Sequence, residues 1–172
     1  LKPTEDLAFP SPAQNHQYSL YVHIPFCETL CPYCTFHRFK LNDSLARNYF
    51  LNLGNELLQY SKLGYVFQSV YIGGGTPTIL LDELVKTIDL IKDLFHPSEI
   101  SCETNPNHLS DIYVNQLTNR VDRLSIGVQS FNDQLLSKIG RLEKYGTGQE
   151  IKNKVQGVLN KFKNVNIDMI YN

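Results

Sequence analysis

Apolar positions recur along the chain in two alternating rhythms, one of strands and one of helices. Ser19-Leu20-Tyr21-Val22-His23-Ile24 is β-branched and aromatic and stops at Pro25, which predicts a first strand. Leu45, Tyr49, Leu53, Leu57 and Leu58 follow at helical spacing behind Asp43 or Ser44, either of which can cap a helix reaching about Gly64. The short run Ser69-Val70-Tyr71-Ile72 halts at Gly73-Gly74-Gly75 and predicts strand two. A second helix opens at Asp82, sets Leu84, Val85, Ile88, Ile91, Leu94 and Phe95 on its apolar side, and ends before Pro97. Glu99 to Cys102 predicts strand three, residues 109–119 a helix, Arg123 to Val128 strand four, and Asn132 to Ile139 a helix. A further helix spans Gln149 to Phe162, and Val165 to Ile170 makes strand five. Such alternation predicts an α/β fold with parallel strands joined by right-handed crossovers, either a doubly wound sheet or part of a βα barrel.

Composition narrows the class. With 172 residues, 42% apolar and 19% charged, the chain is neither disordered nor fibrous and can bury one sizeable core. Sixteen Lys and Arg against 17 Asp and Glu give a net charge of −1, so no overall field attracts a nucleic acid or an anionic membrane. No apolar run approaches the roughly 20 residues of a membrane span, and no basic-then-apolar leader precedes residue 20. A soluble, cytoplasmic protein without nucleic-acid partners is the expectation. Residues 1–17 hold three of the eight prolines and predict an extended arm packed loosely on a domain of residues 18–172. The chain opens on Leu1 and closes at Asn172 directly behind strand five, so one or both ends are expected to have been cut.

Cys27, Cys31 and Cys34 fall within eight residues, too close together for a disulfide framework, and point to metal. Pro25 and Pro32 discourage helix there, so the loop can wrap an ion or a cluster. Soft thiolates select zinc, copper(I) or iron–sulfur. A structural zinc site wants a fourth ligand, which His23 or His37 could supply, although neither stands in a second zinc-knuckle half-motif. Three thiolates on a four-iron cube leave one iron open instead. Cys102, with apolar neighbours and no partner motif, is expected to be a buried thiol without chemistry. Several polar groups fall just past predicted strand ends: Gly73 to Gly75, Glu103 with Asn105, and Gln129, while Asp168 sits in the last strand. Both candidate folds place active sites on that face.

Cys27-x-x-x-Cys31-x-x-Cys34 with Tyr33, preceded by Tyr21-Val22-His23-Ile24-Pro25-Phe26, resembles the radical S-adenosylmethionine (radical SAM) superfamily. More narrowly it is similar to the oxygen-independent coproporphyrinogen III oxidases and their heme-chaperone and heme-degrading relatives. The resemblance spans about residues 18 to 172. It takes in Ile72-Gly73-Gly74-Gly75-Thr76-Pro77-Thr78, Glu103-Thr104-Asn105-Pro106, Arg123 to Phe131, Gly140-Arg141 and Ile167-Asp168-Met169-Ile170-Tyr171.

This resemblance implies a partial TIM-like parallel (β/α) barrel that stops after strand five and lacks the family's C-terminal part. It implies a 4Fe-4S cluster on Cys27, Cys31 and Cys34, with S-adenosylmethionine (SAM) chelated at the open iron and cleaved by an electron from the cluster. Implied SAM contacts are Tyr33, Gly73, Gly74, Gly75, Thr76, Glu103, Gln129, Arg141 and Asp168, with Arg141 offering a fork to the carboxylate and Tyr21 standing at the active-site floor as a catalytic residue. Arg141 also lies in a basic stretch, where a solvated surface position is the alternative. The implied activity is oxidative decarboxylation of a tetrapyrrole, coproporphyrinogen dehydrogenase-like, in porphyrin and heme metabolism, with a flavodoxin or ferredoxin as reductant. Alternatives are a non-catalytic heme chaperone that keeps the cluster and SAM site, and a zinc-stabilised structural domain. Phe36 stands where the oxidase has a further cysteine, Leu142-Glu143 where the family has x-His, and Asn172 where it has Gly. These departures bear on the substrate rather than on the cofactor, and Phe36 leans toward the chaperone and heme-degrading branches.

Overall fold

The computed structural model describes residues 10–14 and 16–171. Five strands form one parallel sheet: β1 (Tyr18–Ile24), β4 (Phe67–Gly74), β5 (Glu99–Thr104), β6 (Arg123–Gln129) and β7 (Asn164–Met169). The spatial order is β1-β4-β5-β6-β7, so each crossover adds its strand on the same side of the last. A doubly wound sheet reverses direction at a switch point. No reversal occurs among these strands, and the architecture is the arc of a parallel α/β barrel.

The helices lie in the crossovers: α1 (Asp43–Lys62), α2 (Leu81–Phe95), α3 (Asp111–Leu117), α4 (Asp133–Lys138), α5 (Leu142–Tyr145) and α6 (Gly148–Val158). Strand register separates two faces. Val22, Ile72 and Cys102 pair across β1, β4 and β5 and belong, with Leu124 and Ile126, to one buried apolar core shared with the helices. The alternate residues pair as Tyr21 with Tyr71, Glu103 with Ser125 and Gly127 with Asp168, and so line the opposite face with polar groups. Period-two alternation thus puts one row of each strand into packing and the other at the disposal of a ligand.

Several local expectations need correction. The first helix is capped by Asn42, whose Oδ1 accepts from Leu45 N at 3.0 Å, not by Asp43 or Ser44. Its buried stripe is Ala46, Phe50 and Leu57, leaving Leu45 56% exposed. Position 46 is an alanine, small enough for α1 to approach the sheet, and the stripe is turned accordingly. The helix expected over residues 149–162 ends at Val158 and starts in a capping box of Thr147 and Glu150. Two elements had no apolar rhythm to announce them. The four-residue α5 is one, and the two-residue parallel pair β2 (Phe26–Cys27) and β3 (Phe39–Lys40) is the other. Of the expected arm, residues 1–9 and 15 lie outside the described residues. Pro10 O accepts from Tyr65 Oη and Ala13 N donates to Tyr18 Oη, both at 2.9 Å, tying that stretch to the far end of the sheet. Cys102 is fully buried, as expected, and burial pushes its thiol up.

Candidate cluster and SAM site

The C-terminal ends of the strands surround a cavity of about 440 Å3, within the usual range of small-molecule sites. Cys27, Cys31 and Cys34 all line it, on a loop whose two ends are clamped by β2 against β3. Phe39 N donates to Pro25 O at 2.6 Å and Leu41 N to Cys27 O at 2.8 Å, closing the loop at its base. Within it, Cys34 N donates to Cys31 O at 3.2 Å, and Arg38 Nη2 donates to the same carbonyl at 2.5 Å. Burial pushes the Cys27 thiol up, against the Thr76 hydroxyl that donates to its Sγ at 3.6 Å and against the charge of Arg38.

The glycine run presses on this loop. A Cβ on Gly75 would stand 2.7 Å from Phe26 O and 2.9 Å from Cys27 Sγ, so only glycine permits the approach. The backbone N–H groups of Gly74, Gly75 and Thr76 are already engaged within the protein. Gly74 N donates to Glu103 Oε2 at 3.0 Å, Gly75 N to Ile24 O and Thr76 N to Phe26 O, both at 2.8 Å. Those bonds fasten the run to β1, β2 and β5. Gly74, Gly75 and Thr76 line the cavity, whereas Gly73 stands behind it, against Tyr71 and Glu103.

Glu103 is held from two sides, by Gly74 N and by Tyr71 Oη at 2.6 Å. Gln129 sits at a register shift between β6 and β7 with φ +71°, a left-handed conformation uncommon outside glycine. The irregularity turns its side chain across Gly127, whose missing Cβ would lie 3.1 Å from Gln129 Nε2. Asp168 accepts from Ser125 Oγ at 3.1 Å and from Asn166 Nδ2 at 2.7 Å. Glu103, Gln129 and Asp168 all line the cavity.

Arg141 decides between the two expectations placed on it. It is 2% exposed, and the surface alternative is wrong. Its guanidinium donates to Gly127 O, to Asn105 Oδ1 and Tyr33 Oη at 3.2 Å, and to Cys31 Sγ at 3.8 Å, and lies 3.9 Å from the Tyr145 ring centroid. Among the described residues no carboxylate pairs with it, and its buried Nε has no partner. A buried cation in a polar cradle without a carboxylate partner suits an anionic ligand. Burial pushes the Tyr33 phenol up to about 12, despite Arg141, so it stays protonated near neutrality.

Tyr21 lies on the ligand-side face of β1, beside the cavity rather than in its lining. It is 57% exposed and outside the cavity lining, donating to or accepting from His23 Nδ1 at 2.9 Å and stacking on Tyr71, which does line the cavity. Further side chains complete the site. Asn105 bridges Arg141 and Thr76, and Tyr145 carries the guanidinium on its ring. His108 is buried outside the cavity lining, with Nδ1 2.7 Å from Thr78 Oγ1 and Nε2 3.7 Å from Glu28. Glu28, beside Cys27, pairs with Lys144 of α5 at 2.7 Å and so ties the cysteine loop to the helix that follows Arg141.

Among the described residues no three His, Cys, Asp or Glu side chains converge to hold a single ion. The three thiols on one cavity wall are soft donors of the kind that hold an iron–sulfur cluster or zinc. The family model for the Radical SAM superfamily matches residues 21–171. The chain belongs to the radical SAM superfamily. Its sequence is 41% identical over 134 residues to the heme chaperone HemW of Bacillus subtilis, covering 73% of this chain and 35% of that protein. It is 37% identical over 161 residues to HemW of Lactococcus lactis, covering 89% and 41%. Among solved structures it resembles the radical SAM enzyme HemN, coproporphyrinogen III oxidase of Escherichia coli, with TM-score 0.73, 28% identity, and coverage of 89% of this chain and 37% of that one. The cobalamin-dependent radical SAM enzyme OxsB shares the fold, with TM-score 0.54 at 15% identity. This radical SAM chain therefore spans well under half the length of the curated relatives it matches. Among its described residues no helix is long and apolar enough to cross a membrane.

Proposed function

We propose that the chain is a radical SAM core, spanning residues 18–172, which binds a 4Fe-4S cluster through Cys27, Cys31 and Cys34 and S-adenosylmethionine beside it, in a protein that handles heme as a chaperone. The observation that carries this is the unpaired, buried guanidinium of Arg141, set next to Cys31 in a cavity lined by all three thiols. The residues fit both groups. Three soft donors on a loop stiffened by two prolines suit the cluster. The Arg141 fork suits a carboxylate, while the amide of Gln129 and the carboxylates of Glu103 and Asp168 suit amine and hydroxyl groups. Bound together, cluster and SAM supply reductive cleavage of the sulfonium carbon–sulfur bond.

The protein's own side chains bind and orient. Arg141 neutralises the carboxylate and is itself aimed by Gly127 O, Asn105 and the Tyr145 ring. Tyr33 holds its phenolic proton and offers an oxygen to Arg141. Glu103, fixed by Tyr71 and Gly74, presents a carboxylate at a set height without a conformational search.

Heme handling is favoured by the chaperones at 41% and 37% identity and by Phe36, which lines the cavity mouth, 67% exposed, where the oxidase has a cysteine. A second reading, oxidative decarboxylation of coproporphyrinogen, is favoured by the match to HemN. A cytoplasmic setting and a flavodoxin- or ferredoxin-type reductant belong to both. Anaerobic reconstitution of the intact protein, followed by SAM and either heme or coproporphyrinogen, tests the proposal. Stable heme binding without loss of carbon dioxide supports the chaperone. Carbon dioxide with 5′-deoxyadenosine supports the oxidase, and loading with zinc alone overturns both.

A further inference from the structure

Arg38 is the one cation on the cysteine loop itself, four residues beyond Cys34, and the family resemblance gave it no part. It lines the same cavity as the three thiols, on the loop's return limb before β3. Its Nη2 donates to Cys31 O at 2.5 Å, bracing the peptide that carries the middle cysteine. Its Nε is buried and has no partner, and among the described residues no carboxylate pairs with the guanidinium. Loop bracing uses one N–H of the five that arginine offers. Arg38 is half-buried, and a leucine or glutamine would fill such a place without enclosing an unpaired Nε–H, which costs free energy unless something answers it.

Arg141, the fully buried cation of the cavity, is fixed on the opposite wall by β6, Asn105 and Tyr145 and meets Cys31 from that side. The cysteine loop thus lies between two guanidiniums, one of them its own. A cube held by three thiolates is an anion, and gains a further negative charge on reduction. N–H donors and positive charge around cluster sulfurs stabilise that reduced form and raise the potential.

We infer that Arg38 is a charge-compensating and positioning residue of the cluster: it fixes the Cys31 peptide with one N–H and presents its unpaired Nε–H and its charge to the thiolate side of the cube. The inference rests on the three thiols holding a cluster. It adds that the potential of that cluster is set in part from within the loop.

The test uses the intact protein, reconstituted anaerobically with iron and sulfide, as the parent and as Arg38→Gln and Arg38→Lys. Glutamine keeps a donor for Cys31 O and removes the charge, whereas lysine keeps the charge and loses the fork. The readouts are iron per chain and a redox titration followed by the paramagnetic signal of the reduced cluster. Arg38→Gln is expected to retain iron and to lower the reduction equilibrium constant by about tenfold, about 59 mV for one electron. Arg38→Lys is expected to recover most of that loss. Should R38Q fail to hold iron, loading of R38K supports the inference, and equal failure of both overturns it in favour of a shape requirement. A glutamine variant with the parent's potential also overturns it. If that variant binds a carboxylate-bearing porphyrin more weakly, Arg38 is a ligand contact instead. A parent that takes up no iron refutes the cluster assignment itself, a result distinct from every other.

Discussion

Gly75→Ala adds a single methyl group where the glycine run meets the cysteine loop. The new Cβ would lie 2.7 Å from Phe26 O, 3.0 Å from Phe26 C and 2.9 Å from Cys27 Sγ. Comfortable carbon contacts begin near 3.5 Å, so roughly half an ångström or more must be yielded. Neither side can yield it alone. Gly75 N bonds Ile24 O, Thr76 N bonds Phe26 O, and Leu41 N bonds Cys27 O, each at 2.8 Å, so the obstructing atoms are pinned backbone. Overpacking of this kind costs about 1–3 kcal/mol, or about 5- to 150-fold in the folded ratio. Because one of the displaced atoms is the first thiol, iron retention should fall as well. Gly157→Ala is the matched control. Nothing lies within 4 Å of a Cβ there, in α6, and alanine should stabilise the helix by about 0.5–1 kcal/mol. Urea denaturation of the iron-free intact protein measures both, with iron per chain after reconstitution as the second readout. A G75A protein that unfolds at or above the parent's midpoint and holds as much iron would refute the close approach, whereas a stabilised G157A would show that the assay could have detected it.

Arg141→Lys keeps the charge but loses the fork that meets Gly127 O, Asn105 and Tyr33, so SAM affinity should fall roughly 10- to 100-fold with iron content unchanged, as read by equilibrium dialysis. Lys144→Met breaks the pair with Glu28, which is 42% exposed, so unfolding free energy should drop by no more than about 1 kcal/mol in urea. Burial holds the His108 imidazole below its ordinary value of 6.5, against the pull of Glu28. As pH falls below 6.5 the unfolded chain takes that proton first, so stability is lost on the way down to the folded value. The parent should therefore lose more stability between pH 7.5 and 5.5 than His108→Gln, as urea midpoints at the two values would show.

Legibility from sequence followed the range of the forces involved. All five sheet strands were readable because β-branched runs end at glycine or proline, as at Ile24-Pro25 and Ile72-Gly73. Periodicity left barrel or doubly wound sheet open, because strand order is decided by crossovers that leave no periodic trace, and it was the motif resemblance that supplied the barrel. The cysteines and the polar groups at strand ends were legible through spacing, and the structure brings Cys27, Cys31, Cys34, Tyr33, Gly74, Gly75, Thr76, Glu103, Gln129, Arg141 and Asp168 to one cavity. Burial of Arg141 was hidden because its partners are far away in sequence, Tyr33 by 108 residues and Asn105 by 36. Tyr145 and the Glu28–Lys144 tie escaped for the same reason, and β2 and β3 are too short to show a period. The motif position of Tyr21 fixed its strand and face, and the structure adds its stacking on Tyr71 of the cavity lining.

The most direct test of the central claim is the paramagnetic spectrum of the intact protein, reconstituted under strict exclusion of oxygen and reduced with dithionite, before and after addition of SAM. About four irons per chain, a reduced-cluster signal, and a change in that signal when SAM is added are the predicted results. Colourless protein carrying one zinc, or a signal indifferent to SAM, would contradict the account.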